Sequence, residues 1–274
     1  MDSTEIKKHW QELARTFKTD VNATTKNPYI KFLEIQALAR EMRRYAADLP
    51  ARAKVLEVGA GNGQNCLGLA QQFLNYHFTG IDYVPEMIEQ AKALQAKDAG
   101  NAQCEFLVGD ALELRAVVSG AFDIVFTDRC IINLNQWELQ KKALAQLAER
   151  LRPGGYLLLI ENSIQSYTRQ NDARQMVDLP RRVCAPYNLF LDEALLQPAL
   201  AECGVDFVGV RNFASLFDIM LYVLIPASNG GKIDYSHPLL EPTMRFCAAI
   251  EEKGENHFGA FGQNPLFVFR KNAT

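Results

Sequence analysis

Residues Val55 to Gly63, VLEVGAGNG, constrain this chain more than any other stretch. A short apolar run carries one acid, Glu57, and ends in glycines at every second position, Gly59, Gly61 and Gly63, before the helix-like NCLGLAQQFL. The pattern predicts a strand, a tight turn and a helix start. Glycines allow the sharp bend and let a ligand lie against bare backbone, and the first helix amides point at whatever is bound. In the dinucleotide pattern G-x-G-x-x-G the third glycine would fall at Gln64, but here it comes one residue early. With Glu57 just before the turn, a pyrophosphate would meet a like charge, whereas a ligand with a cationic end and no phosphate would be accommodated. A purely structural turn is the competing reading of the glycines alone.

The rest of the composition narrows the class. The chain has 274 residues, a formal charge of −3 and a pI near 5.9, with no block of lysine or arginine, which argues against a general nucleic-acid binder. Cys66, Cys104, Cys130, Cys184, Cys203 and Cys247 form no C-x-x-C pair and have no histidine at metal-ligand spacing. No metal is therefore expected, and the thiols read as reduced ones of a cytoplasmic protein. The N-terminus is charged from Asp2, and the longest apolar run, near Ile219 to Ala227, is far short of a membrane span. A soluble protein without membrane contact is expected.

Periodicity predicts a helix over 3–18 and a second opened by Asn27 as cap with Pro28 in the first turn, both placed before the first strand. They could cover a ligand or simply pack on the sheet. From Lys54 strand and helix signals alternate as in an α/β, doubly wound sheet. Strands are expected at Lys54 to Val58, Tyr76 to Ile81, Cys104 to Val108, Phe122 to Phe126 and Tyr156 to Ile160. Helices are expected at Asn65 to Leu74, Pro85 to Ala96 and Gln136 to Leu151, the last with Asn135 and Glu138 as a capping box. Pro153-Gly154-Gly155 reads as a helix stop and turn. A further helix, Asp192 to Cys203, precedes strands at Val205 to Val210 and Pro265 to Arg270, and another helix is expected from Pro238 to Lys253. Segments 162–190 and 211–264 are too long for bare connections and read as a lid on one domain spanning 1–274, with 1–50 as a helical cap and 51–161 as the core.

Open parallel sheets bind ligands at the carboxyl ends of their strands. Glu57, Asp82, Asp110 and Asp128 all lie at such ends, and Asp82 follows Gly63 by nineteen residues, where an acid reaches ribose hydroxyls. Taken together over Lys54 to Glu161, these motifs resemble the class I S-adenosylmethionine-dependent methyltransferases. The resemblance implies a Rossmann-like, seven-stranded sheet of order 3-2-1-4-5-7-6 with strand seven antiparallel. It also implies S-adenosylmethionine as cofactor, with Gly59 and Gly61 cradling its methionine part and Glu57 suiting its cationic end. Asp82 would hold the ribose, Asp110 with Ala111 the adenine, and Tyr83 and Met87 would pack on the adenosine. A narrower likeness is to bacterial methyltransferases of small molecules and polysaccharide sugars, with R-x-LEI, D-R-x-x-I-N-L and F-G-x-x-x-x-F-V-F segments. Here these are Lys31 before LEI, DRCIINL with Asp128 and Arg129, and FGQNPLFVF. Lysine for arginine at Lys31 keeps a salt bridge to the methionine carboxylate but loses the bidentate fork.

Methyl transfer needs positioning, and a base when the acceptor is a poor nucleophile. No N-P-P-Y signature follows strand four, so an oxygen acceptor is favoured. Candidate bases are His237, His257, Asp128 and Glu161, with His237 favoured because histidine titrates near neutrality. Arg169, Arg174, Arg181 and Arg182 could grip an acidic or phosphorylated acceptor, and Tyr167, Tyr187, Phe213 and Phe217 would line the mouth, with Arg174 and Tyr187 the residues chosen as catalytic. The expectation is O-methylation of a small polar acceptor such as a sugar or sugar nucleotide, with a homodimer left open. The rival within the fold is an N-methyltransferase or a protein or RNA methyltransferase. The rival of another class is a nucleotide-binding module or NAD-dependent dehydrogenase.

Overall fold

A capping box in which Asp2 and Glu5 exchange bonds of 2.9 and 2.8 Å starts the first helix, α1 (Ser3–Phe17). The computed structural model describes residues 2–97, 103–254 and 258–273. In α2 (Pro28–Arg44) the expected cap is present, with Asn27 Oδ1 accepting from the amides of Tyr29 and Ile30 at 2.9 and 3.2 Å. The alternating part follows as β1 (Lys54–Val58), α3 (Gln64–Ala70), β2 (His77–Asp82), α4 (Pro85–Gln95), β3 (Cys104–Val108), β4 (Phe122–Asp128), α5 (Trp137–Arg150) and β5 (Leu151–Ile160). It continues through α6 (Ile164–Gln175), α7 (Glu193–Ala201) and β6 (Val205–Arg211). Then come α8 (Ser215–Ile219), a π turn over Met220–Leu224, α9 (Ile225–Ser228), α10 (Leu240–Glu252) and β7 (Leu266–Lys271).

The seven strands form one sheet in the order β3-β2-β1-β4-β5-β7-β6, with β7 antiparallel to both neighbours and the remaining pairs parallel. Period-two alternation divides the core between its faces. Val55, Phe78, Phe126 and Val268 meet α2, α3 and α10 on one face; Leu56, Val58, Val125 and Phe267 meet α5 and α7 on the other. Fully burying each of these large side chains is worth about 1.5–3 kcal/mol. The first β strand therefore sends Glu57 toward α2 and α3.

Two local expectations fail. Helix α5 takes Gln136 rather than Asn135 as its N-cap, and Gln136 makes no side-chain cap bond. Pro153-Gly154-Gly155 lies inside β5, where the pairing with β4 shifts register between Phe122 and Ile124. A Cβ on Gly155 would come within 2.9 Å of the Asp123 carbonyl, so the bulge requires glycine there. Segment 162–190 is also more ordered than its polar composition suggests, since α6 occupies part of it. Among the described residues no helix is long and apolar enough to cross a membrane, and no cluster of three or more His, Cys, Asp or Glu is placed to hold a metal ion.

Candidate functional site

A cavity of about 380 Å³ opens at the carboxyl ends of β1, β2, β3 and β4, under α1, the start of α2 and both insertions. Its floor is the glycine turn. The amides of Gly59 and Ala60 both donate to the Ile81 carbonyl, at 2.8 and 2.9 Å, which clamps the turn to the end of β2. Gly59 and Gly61 have φ of +79° and +52°. A Cβ on Gly59 would lie 2.5 Å from Cys130 and one on Gly61 2.5 Å from Thr24. The glycines thus admit close protein neighbours as well as any ligand lying over the turn.

Asp82 faces the cavity, and its carboxylate is held by two backbone amides, Gly61 to Oδ2 at 2.8 Å and Val84 to Oδ1 at 2.9 Å. Burial lifts its pKa to about 6 against the pull of both amides. Tyr83 and Met87 continue this wall, with Trp10 and Leu13 of α1 packed on them. Asp110 and Ala111 lie at the cavity rim after β3, with Asp110 Oδ1 accepting from the Leu112 amide at 2.9 Å.

Beside the turn four charges meet, with Lys31, Glu34 and Asp128 buried and Arg129 half-buried. Lys31 Nζ lies 2.9 Å from Glu34 Oε2, donates to Asn65 Oδ1 at 3.2 Å, and makes a short ion pair with Asp128. Arg129, held at φ +54°, bonds Glu34 at 3.0 Å and Asp128 at 3.2 Å. Burial pushes the Asp128 carboxyl up, but Lys31 and Arg129 together outweigh that effect and hold it well below the usual range. For Lys31 burial is likewise overcome, by Asp128 and then Glu34, leaving its pKa above the ordinary value. For Glu34 burial wins over Arg129, and its pKa is raised. With two cations and two carboxylates, this corner suits a zwitterionic ligand end.

Two acids expected at the site stand behind its wall. Glu57 is fully buried and does not reach the cavity; it accepts from Asn65 Nδ2 at 2.8 Å, and Asn65 in turn donates to Asp128 at 3.0 Å. Burial pushes its carboxyl to about 7. Glu57 therefore orients Asn65 rather than a ligand. Glu161 is also off the cavity, since it accepts from Thr127 Oγ1 at 2.7 Å and from the amides of Cys130, Ile131 and Ile132 at 3.0, 3.0 and 3.3 Å. Burial lifts its carboxyl to about 7, and its bonds hold the loop after β4.

Both insertions reach the cavity, one through Tyr167, Arg182, Tyr187 and Phe190, the other through Tyr222, Tyr235, Gln263 and Asn264. The first is pinned where Leu189 donates to the Ile132 carbonyl at 2.8 Å and accepts from Gln140 at 2.7 Å. Tyr187 stacks on His9 with ring centroids 4.6 Å apart, so α1 closes over this end. Other residues expected at the acceptor do not line the cavity. Arg174 is buried and bonded to the carbonyls of Pro180 and Tyr222, bracing the π turn from behind. Arg169 bonds the Ala260 carbonyl and Arg181 bonds Asp172. Phe213 and Phe217 are core residues. His237 lies outside the cavity, in a turn where its Nδ1 accepts from the Leu239 amide at 3.3 Å. His257 lies outside the described residues.

Sequence reasoning passed over Glu34, Asn65, Tyr222, Tyr235, Gln263 and Asn264, all of which line the cavity. Signals existed for four of them: Glu34 is the acid of LEI, Asn65 follows the glycine turn, and Gln263 and Asn264 sit within FGQNPLFVF. Asn264 Nδ2 reaches Glu34 Oε1 at 2.8 Å, so these distant segments meet in one contact.

Known proteins agree with this architecture. Residues 50–196 match a family model described as a methyltransferase domain. Trans-aconitate 2-methyltransferase of Deinococcus radiodurans is 33% identical over 122 residues, covering 44% of this chain and 42% of that protein. Demethylmenaquinone methyltransferase of Thermus thermophilus is 34% identical over 122 residues, covering 43% of this chain and 53% of that protein. The matches thus span about half the length of these curated relatives. In structure, magnesium protoporphyrin IX methyltransferase of Synechocystis, with bound S-adenosylmethionine, aligns with a TM-score of 0.57 at 15% identity over 99% of this chain and 98% of that one. The CcbJ methyltransferase of Streptomyces caelestis aligns at 0.55 and 15% identity over 86% and 90%. Because the family model spans more than half of the chain and the sheet has the expected strand order, the chain belongs to the class I S-adenosylmethionine-dependent methyltransferases.

Proposed function

We propose that residues 1–274 act as one domain that moves a methyl group from S-adenosylmethionine to an oxygen atom of a small polar acceptor. The observation that carries this reading is the continuity of the cavity, from the glycine turn and Asp82 to the tyrosines and amides of the insertions. Bound there, S-adenosylmethionine supplies a methyl group activated by its sulfonium. The residues present fit it. Asp82, already oriented by two amides, keeps lone pairs for ribose hydroxyls. Asp110 and Ala111, on the cavity lining, would take the adenine edge, and Tyr83 and Met87 offer apolar faces. Lys31 and Arg129 would take the amino-acid carboxylate, with Asp128 and Glu34 beside its ammonium. Tyr187, stacked on His9 of α1, and the insertions would exclude water from the acceptor end.

Titration calorimetry with S-adenosylmethionine, S-adenosylhomocysteine and NAD tests the cofactor half. The first two should bind and NAD should not; the reverse would make this a dinucleotide-binding protein. The acceptor half is tested by mass spectrometry of sugars, sugar nucleotides, amines and organic acids incubated with the protein and S-adenosylmethionine, read as a gain of one methylene. Methylation of nitrogen alone would overturn the oxygen assignment.

A further inference from the structure

Among the described residues, the acceptor end of the cavity holds a fixed cation without an ion-paired anion. Arg182 places its guanidinium carbon 3.7 Å from the centroid of the Tyr222 ring and 5.4 Å from that of Tyr167. Its Nη1 donates to Gln170 Oε1 at 2.6 Å and to Gln263 Oε1 at 3.1 Å. Among the described residues its Nε and Nη2 have no hydrogen-bond partner, and no carboxylate lies within ion-pair distance of it. Asp218 stands one step back, accepting from the Gln263 amide at 2.7 Å and from Gln170 Nε2 at 3.4 Å. Burial lifts the Asp218 carboxyl to about 7, so it is a weak counter-charge, and Arg174 nearby adds positive charge. A guanidinium steadied by neutral amides and an aromatic face keeps its open donors for a planar, two-oxygen anion.

Among the described residues, no side chain lining that end of the cavity is a free proton acceptor suited to neutral pH, and Asp218, at about 7, is bonded to Gln170 and Gln263 without lining it. Among the described residues no histidine lines it, and Glu34 and Asp128 are committed to Lys31 and Arg129. Burial raises the phenols of Tyr167, Tyr187 and Tyr222, which keeps them protonated. Among the described residues an alcohol would find no group lining this end to receive its proton as it reacts. An acceptor that arrives as an anion needs none.

We infer that the acceptor is a small carboxylic acid, held by Arg182 and methylated on its carboxylate to a methyl ester. This rests on the S-adenosylmethionine reading of the same cavity. A carboxylate ionises near pH 4 and offers about four lone-pair sites, of which the Arg182 fork engages two. A remaining oxygen lone pair forms the new O–C bond as the S–C bond breaks. The electron pair of that broken bond stays on sulfur, and no proton is transferred.

The test uses tritiated-methyl S-adenosylmethionine with a small-metabolite extract, and with the matched set glucuronate, glucose and glucose 6-phosphate plus citrate. Methyl esters release volatile methanol in alkali, whereas ethers and methylamines do not. Label from the extract should be alkali-labile, and within the set it should enter carboxylates only. Arg182→Gln and Arg182→Lys should lower kcat/KM for the labelled acid by about 10- to 150-fold, mostly through KM. S-adenosylhomocysteine affinity should be preserved, which shows that the variants are folded. The inference is overturned by alkali-stable label, by a protein that binds S-adenosylhomocysteine yet yields no alkali-labile product from the extract, or by folded Arg182 variants with unchanged kinetics. Failure to bind S-adenosylhomocysteine at all would sink the cofactor reading instead.

Discussion

Replacing Asp82 by alanine perturbs folding and ligand binding by separable amounts. In the fold, its carboxylate satisfies the amides of Gly61 and Val84 at 2.8 and 2.9 Å. Each buried donor left without a partner costs about 1–3 kcal/mol, so Asp82→Ala should destabilise the protein by about 2–6 kcal/mol. For a chain of this size that lowers Tm by on the order of 10 °C. In binding, each charge-assisted bond to a ribose hydroxyl is worth about 1.5–3 kcal/mol, a loss of about 10- to 150-fold in affinity per bond. Calorimetry with S-adenosylhomocysteine at 25 °C, beside a circular-dichroism melt, reads both quantities. The pH dependence adds a second check, because burial places this carboxyl near 6. The ionised form is the better acceptor, so affinity should rise with pH through about 6, and Asp82→Asn should abolish that rise. The contribution of Asp82 to stability runs the other way. The native carboxyl keeps its proton up to about 6 and the unfolded one only to about 4. That contribution is full below about 4 and lost as pH climbs through 6. A folded Asp82→Ala protein with unchanged affinity would refute the ribose assignment.

Lys31→Met leaves Asp128 and Glu34 with Arg129 as their one remaining cation, and should cost about 3–5 kcal/mol in denaturant unfolding. Lys31→Arg should cost much less, and a loss under about 1 kcal/mol for the methionine variant would show that the cluster is solvated. Glu161→Gln turns an amide toward donors that the carboxylate now satisfies and should destabilise by about 1–3 kcal/mol, with turnover lowered through the displaced Cys130–Ile132 loop. If its melt matches that of the parent, Glu161 does not organise the loop. His237→Asn should leave rate and pH profile unaltered, since the side chain lies off the cavity; a tenfold rate loss would restore the histidine as a base.

The placement of Gly59, Gly61, Asp82, Tyr83, Met87, Asp110 and Asp128 at one cavity was legible in the sequence, because each lies at or just beyond a strand end, whereas the strand order followed only from the family resemblance. A parallel sheet presents strand ends together, so a motif read at a strand's carboxyl end is already located in space. Which neighbour a side chain meets is not local in this way. Glu57 looked like a ligand contact, yet period-two alternation turns it under the turn toward Asn65. Arg174 and Arg182, eight residues apart in one polar insertion, could not be ranked by composition. Packing decided: Arg174 is consumed by the Tyr222 carbonyl, while Arg182 lies over the ring of that same tyrosine with donors to spare. Nor could the chain announce that Lys31, Glu34, Asn65, Asp128, Arg129 and Asn264 form one buried network. Local propensity specified the strands and helices, but which charges are paired and which stay open depends on contacts between segments up to 230 residues apart, and these exist only once the sheet and its insertions have closed.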